Sequence, residues 1–357
     1  MSYIDGSYSL LVQKLQSFEG SKLLILDENT PLNLYSMLSR IQDLTVLTNR
    51  YDINQTLLSE NVPCSYSDFD FAEVASRCNV VAYRLSKEKS VVNHVLDAIP
   101  RLLTAEGHLL LLGNKNQGFP STLKKLTKSW NIQPSLVNLK NGEKLADFAL
   151  PQKISQYKNS NGASEYENIE PISLMIGGLP VYSKRGAFGW NKQDQGSQFL
   201  IETLNSNYIW SNLSTSPVSM LDLGCGYGYL TMHAAEKCPN IQITATDNNA
   251  AALLVCQKNM SYRGLNAKVI ASDCASSIKQ RFDLILCNPP FHQGFRQSDD
   301  LSIKFVRQIG AHLAPQGVAY LVVNAFLSYE KWAHSCKLAC NTLANNRSFK
   351  VLEMRQP

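Results

Sequence analysis

The sequence predicts an α/β protein made of two tandem, doubly wound parallel-sheet domains. Three observations predict it. The chain has 357 residues, too many for one ordinary core and a good fit to two domains. Its C-terminal half alternates short apolar runs with helical stretches. Its N-terminal half repeats that alternation at nearly the same spacing.

In the C-terminal half, residues 220–226 read as a short strand ending in a glycine turn, and residues 228–237 as a helix. Ile241 to Asp247 alternates as a second strand, followed by a helical stretch over 249–263. Ala267 to Asp273 is a third strand and Phe282 to Cys287 a fourth. A helix over 298–313 and a strand from Gly317 to Asn324 complete the pattern.

In the N-terminal half, Arg77 to Lys87 lies over Arg281 to Phe291, and Leu103 to Gly113 over Leu313 to Val323. This reads as duplication of one α/β domain, set against two unrelated domains with a shared generic grammar. The halves differ where chemistry resides. Residues 23–30, Leu-Leu-Ile-Leu-Asp-Glu-Asn-Thr, stand in place of Gly-Cys-Gly-Tyr-Gly, and Arg-Leu-Ser-Lys stands in place of Asn-Pro-Pro-Phe. The N-terminal copy is therefore expected to be degenerate, serving as scaffold or in recognition. Expected boundaries are 1–150 for that copy, 151–170 for a linker and 171–357 for the active copy. The run from Thr122 to Lys158 carries seven lysines against Glu143 and Asp147. It reads as an inter-domain linker with a basic approach, either phosphate-binding or a solvated lysine face.

The formal charge of +5 permits a nucleic-acid partner without requiring one. The N-terminus shows no basic leader followed by an apolar stretch, and no run approaches the ~18–20 apolar residues of a membrane helix. A cytoplasmic protein is expected. Nine cysteines lack a repeated metal-ligand spacing. Cys336, Cys340 and His334 have no second ligand pair, so they read as reduced cysteines on a helix and no metal is expected.

Gly224, Gly226 and Gly228 fall on the turn after the first strand of the active copy, where glycine lets a ligand lie against bare backbone. Asp247 ends the second strand and can accept from two ribose hydroxyls, or cap the next helix. Asp273 ends the third strand, facing an adenine amino group or acting as another cap. Asp222 can face the methionine end of the cofactor. Residues 187–197 precede the first strand as a lid over the cofactor or as a connecting loop; Asp194 within it is grouped with the cofactor residues.

Residues 288–291 are Asn-Pro-Pro-Phe. An exocyclic amine on a base is a poor nucleophile, because its lone pair is delocalised into the ring. Two acceptors aimed at its N–H bonds help it pyramidalise. The Asn288 side-chain oxygen and the Pro289 carbonyl can supply them, Pro290 stiffens the turn, and Phe291 offers a ring for stacking. Glycine loop, acidic strand ends and this tetrapeptide, in this order, point to methyl transfer from S-adenosylmethionine to a planar nitrogen. A dehydrogenase would use a similar glycine turn, but it leaves Asn-Pro-Pro-Phe unexplained.

The chain resembles the bacterial ribosomal RNA guanine-N2 methyltransferases, and within them the small-subunit branch. The resemblance rests on Gly-Ala-Phe with Asp194-x-Gly196-Ser197, on Leu-Asp-Leu-Gly-Cys-Gly, on Asn-Pro-Pro-Phe-His-Gln-Gly and on Val-Asn-Ala-Phe-Leu-Ser-Tyr. Arg347-Ser-Phe-Lys-Val is similar to the family's closing strand. The resemblance spans 170–355 and extends more loosely over 1–150. It implies two tandem Rossmann-like class I methyltransferase domains, with S-adenosylmethionine bound only by the second. It implies N2-methylation of a guanine of 16S rRNA in the 30S subunit. It also implies that the N-terminal copy helps recognise RNA, with Lys87, Lys89, Lys115, Lys124 and Lys125 as candidates to grip the backbone. A monomer is expected.

Other readings remain open at this point. They are the large-subunit (23S) enzyme, a release-factor glutamine methyltransferase, an adenine-N6 DNA methyltransferase and a non-catalytic RNA-binding or assembly factor.

Overall fold

Two sheets of seven strands share one strand order, each in its own half of the chain. The computed structural model describes residues 6–27, 33–139, 142–151, 164–213, 218–290 and 297–357. It divides into a first unit, Met1–Asn168, and a second, Ile169–Pro357.

In the first unit α1 (Gly6–Gln16), β1 (Lys22–Leu26), α2 (Asn33–Leu38), β2 (Leu44–Thr48), α3 (Tyr51–Ser59) and β3 (Cys64–Tyr66) come first. Then follow β4 (Cys78–Arg84), α4 (Lys89–Leu102), β5 (Leu103–Gly113), α5 (Phe119–Trp130), β6 (Ser135–Asn138), β7 (Lys144–Ala149) and α6 (Ser164–Glu167). The strand order is β3-β2-β1-β4-β5-β7-β6, parallel as far as β5 and antiparallel at β7 and β6.

Central strands are buried on both faces, which explains their nearly unbroken apolar runs. Leu23, Ile25, Val81 and Tyr83 enter one core and Leu24, Leu26, Val80 and Ala82 the other, as the two-residue period of a strand dictates. Helix α4 packs Val91, Val95, Leu96, Ile99 and Leu102 into the first of these cores, at the three- and four-residue spacing of a helix face.

In the second unit an antiparallel ribbon, β8 (Glu170–Ile176) and β9 (Leu179–Ser183), comes first, then α7 (Gln195–Ser206) and α8 (Ile209–Leu213). The sheet contains β10 (Ser219–Leu223), β11 (Gln242–Asp247), β12 (Ala267–Ala271), β13 (Phe282–Cys287), β14 (Leu313–Asn324), β15 (Ala339–Asn345) and β16 (Phe349–Arg355). Its helices are α9 (Tyr229–Lys237), α10 (Ala250–Tyr262), α11 (Gln297–His312) and α12 (Tyr329–Ser335). The order β12-β11-β10-β13-β14-β16-β15 repeats the first unit strand for strand.

The repetition extends to an irregularity. The register of β4 on β5 slips between Cys78 and Val80, and that of β13 on β14 between Phe282 and Leu284. Generic α/β grammar does not require the same fault at the same place. Counting along the matched registers puts Arg84 at the position of Asn288, Leu85 at Pro289, Lys87 at Phe291 and Asn116 at Phe326.

One expectation is corrected. The run from Thr122 to Lys158 is not linker throughout, because α5, β6 and β7 lie inside it and belong to the first unit's sheet layer. Lys124, Lys125 and Lys128 are the solvent face of α5, whose inner face buries Leu126 and Trp130. Lys140, Lys153 and Lys158, with most of the expected linker, lie outside the described residues. Tyr166, also within that linker, is buried in the first unit and stacks on His94 at 4.7 Å.

Candidate active site

Strand β10 delivers the chain to the glycine turn. Gly224, Gly226 and Gly228 have φ of 82°, 54° and 89°, a region that side chains disfavour. The three differ in what they face. A Cβ on Gly228 would come within 3.1 Å of Cys256 Sγ and Met260 Cε, so this glycine lets α9 pack on α10. A Cβ on Gly226 would meet nothing within 4 Å, so this glycine leaves open backbone where a ligand can lie.

Asp247 closes β11 and pins that turn. Its Oδ2 accepts from Gly226 N at 3.0 Å and its Oδ1 from Asn249 N at 2.9 Å. The α10 cap is Asn249, whose side chain accepts from Ala251 and Ala252. The cap of α10 is therefore Asn249 and not Asp247. Asp273 follows β12 and is ion-paired with Lys304 of α11. Asp247 and Asp273 are brought together through Ser272, whose N–H donates to the Asp247 carbonyl at 3.0 Å.

Asp222 is fully buried. Its Oδ2 accepts from Thr231 N at 3.0 Å and Thr231 Oγ1 at 2.6 Å, while Oδ1 has no hydrogen-bond partner among the described residues. Burial pushes its carboxyl up to about 7; the Thr231 bonds oppose this and the Asp247 charge adds to it.

Asn288 follows β13. Its Nδ2 donates to Asp194 Oδ1 at 2.6 Å and to Ser197 Oγ at 2.8 Å. A carboxylate only accepts, so the atom facing Asp194 must be the amide nitrogen. Asn288 Oδ1 is thereby fixed as an acceptor, and it is buried without a hydrogen-bond partner among the described residues. Such an orphan costs about 1–3 kcal/mol, relieved by any N–H that reaches it. Pro289 is buried and Pro290 exposed. Phe291 lies outside the described residues.

The sequence grouped Asp194 with the cofactor residues; the structure hydrogen-bonds it to Asn288. It caps α7 by accepting from Ser197 N at 2.7 Å, and holds Asn288 with the same oxygen. Gln193 beside it donates to Tyr229, the residue after the glycine turn, at 2.7 Å. Residues 193–197 therefore tie the glycine turn to Asn288. A Cβ on Gly196 would stand 3.2 Å from Asp194 Oδ1, 3.4 Å from the Phe349 ring and 3.5 Å from Asn288 Oδ1. Ser197, Gly196 and Phe349 are contributors that sequence reasoning did not place. The Asp-x-Gly-Ser spacing at a helix start was the available signal.

Of the lysines expected to grip RNA, Lys87, Lys89 and Lys115 lie in the first unit, at the carboxyl ends of β4 and β5, and Lys124 and Lys125 on exposed α5. None of the five has a carboxylate partner among the described residues. No helix among the described residues is long and apolar enough to cross a membrane.

The methyltransferase small domain family matches residues 178–353, and its N-terminal domain family residues 9–134. A ribosomal RNA small subunit methyltransferase C from Shewanella loihica is 25% identical over 354 residues, 99% of each chain. The protein of that name from Yersinia pestis is 29% identical over 319 residues, 86% of this chain and 84% of its own. A solved structure of a T. thermophilus 16S rRNA N2 methyltransferase, in complex with AdoMet and guanosine, superposes with a TM-score of 0.83. It is 25% identical and covers 99% of this chain and 93% of its own.

Proposed function

We propose that the chain, which the methyltransferase small domain family matches over residues 178–353 and that family's N-terminal domain over residues 9–134, transfers a methyl group from S-adenosylmethionine to the exocyclic N2 of one guanine in 16S rRNA. The observation that carries the reading is the oriented Asn288 oxygen, buried without a hydrogen-bond partner among the described residues. It is the acceptor a planar NH2 needs and has no use in a dehydrogenase. The substrate class is supported by the relatives named for small-subunit rRNA methylation and by the T. thermophilus structure with guanosine.

S-adenosylmethionine supplies an electrophilic methyl group. The residues present fit it: Gly224 and Gly226 offer approachable backbone, Asp247 stands where ribose hydroxyls are read, and Asp273 where an adenine amine is read. Asp222 places a carboxyl below the turn for the cationic methionine end. Asn288 accepts one N2–H bond and the Pro289 carbonyl the other, turning the nitrogen lone pair toward the methyl group. Phe291 stacks on the base. Most of the catalysis is positioning of a weak nucleophile, so no strong general base is required.

Lys87, Lys89, Lys115, Lys124 and Lys125 contact the RNA backbone in this reading. The substrate particle is the 30S subunit, the protein acts as a cytoplasmic monomer, and the first unit has no catalytic role. The test is methyl transfer from labelled S-adenosylmethionine to 30S particles, 50S particles and free 16S rRNA from cells lacking the protein, with nucleoside analysis. N2-methylguanine confined to 16S rRNA is expected. Label in 23S rRNA moves the chain to the large-subunit reaction, and label only in a protein glutamine replaces the RNA substrate altogether.

A further inference from the structure

The first unit keeps a cleft at the topological position of the active site. It has a volume of about 200 Å³, and its wall includes Tyr8, Asp27, Arg84, Ser86, Lys87 and Asn116. Sites that bury a whole drug-sized ligand run to roughly 300–1,000 Å³. This one is small for a cofactor and suits a single charged group with part of what carries it.

Its hydrogen-bond polarity is reversed relative to the second unit. There the strand end presents acceptors to an N–H donor. Here Arg84 occupies the position of Asn288. The Leu85 carbonyl, counterpart of that of Pro289, is consumed by Gln117 Nε2 at 2.6 Å. An amide of the chain itself thus sits where the substrate amine would, and an amine is shut out.

The remaining substitutions add donors. Lys87 replaces Phe291, Lys115 replaces Ala325 and Asn116 replaces Phe326. Arg84 is largely spoken for, donating to Glu143 at 2.6 Å and to the Tyr8 hydroxyl at 3.1 Å, and Asp27 is not free. Lys87 and Asn116 are exposed at the mouth, and neither side chain has a partner among the described residues. Buried Ser86 accepts through Oγ from Glu88 N at 3.1 Å, which leaves its hydroxyl hydrogen to donate. A mouth of donors over the paired Arg84 and Glu143, with the Asp27 carboxylate also in the wall, suits a multivalent acceptor, and phosphate is one that RNA displays at every residue.

We infer that this relic of the active site is a phosphate pocket, in which Lys87, Asn116 and Ser86 hold one phosphodiester of the RNA substrate. This rests on the reading of the chain as an RNA methyltransferase and deepens it. The amine site of one copy and the phosphate site of the other are the same cleft with opposite hydrogen-bond polarity.

The test is binding, not turnover. Filter binding of protein-free 16S rRNA is measured across salt concentrations for the full chain, for Lys87→Ala, for Lys87→Ala with Asn116→Ala, and for Lys237→Ala, an exposed lysine at the end of α9, as a control. Loss of one phosphate contact should weaken binding about five- to tenfold and reduce the slope of log K against log salt by about 1, with the double variant weaker still. Lys237→Ala should match the parent. Wild-type affinity and slope in the double variant would overturn the proposal. So would saturable binding of inorganic phosphate or guanosine 5′-monophosphate that Lys87→Ala abolishes while RNA binding is untouched, since the pocket would then serve a free ligand. If no rRNA is methylated yet the Lys87-dependent slope persists, the pocket stands and the reaction assignment falls.

Discussion

The Asp194 carboxylate holds the Asn288 amide at 2.6 Å, and that contact fixes which way the amide faces. With both Nδ2 hydrogens given to Asp194 and Ser197, the oxygen is the only atom left for substrate. Asn288→Ala should lower turnover at least about 100-fold, the scale of losing one oriented polar group at a reacting centre, with S-adenosylmethionine affinity nearly unchanged. Asp194→Asn offers Asn288 a partner that also donates, so the amide can turn over; kcat should fall about tenfold. Calorimetry separates this from the cofactor role expected from sequence. Weakened S-adenosylmethionine binding with kcat intact would return Asp194 to the cofactor.

Gly196 gives a second test of the same geometry. Its φ lies outside the left-handed region, so alanine strains nothing in the backbone, and in a helix it gains about 0.5–1 kcal/mol over glycine. The new methyl would nonetheless crowd Asp194 Oδ1, Phe349 and Asn288 Oδ1. Gly196→Ala should keep or raise Tm while lowering kcat several-fold. Unchanged kcat would mean the acceptor tolerates displacement.

What the sequence made legible follows from range. The glycine turn and Asn288–Pro290 are local, and β10 and β13 are apolar because both faces are buried. The Asp194–Asn288 contact joins residues 94 apart, and no periodicity announces it. Residues 122–149 misled for a different reason. The edge strand β6 is exposed at all four positions and gives no apolar alternation. Helix α5 is amphipathic, but its outward lysines drew the reading while its buried Leu126 and Trp130 did not. The β8–β9 ribbon was readable and missed: Gly177 and Gly178 both have positive φ, as a tight hairpin turn demands.

The first unit's filled site makes a stability prediction. Glu143 is almost wholly buried and its partner Arg84 nearly so, with side-chain exposures of 4% and 16%. Removing one member of such a pair strands the other charge, at about 3–5 kcal/mol. Arg84→Met should therefore shift the denaturant midpoint strongly. Arg84→Met combined with Glu143→Leu should recover most of the loss, because two apolar groups leave no charge unpaired. Equal damage in single and double variants would show that packing, not charge, dominates there.

Asp222 should link pH to stability and, in the proposed reading, to cofactor binding. Its carboxyl is raised by burial from 3.8 to about 7, so between about pH 4 and 7 the folded chain holds a proton that the unfolded chain has released. Over that window the free energy of unfolding falls as pH rises, by at most roughly 4 kcal/mol, and above about 7 the penalty is complete. Asp222→Asn cannot ionise. Without S-adenosylmethionine, it should be more stable than the parent at pH 8 and close to it at pH 4, measured by thermal unfolding. A cationic ligand beside Asp222 would draw the proton off. S-adenosylmethionine should accordingly bind more tightly as pH rises from 6 to 8, and this dependence should vanish in the Asn variant. A parent whose stability and cofactor affinity are both flat across that range would place Asp222 in the ordinary carboxylate range and away from the cofactor's charge.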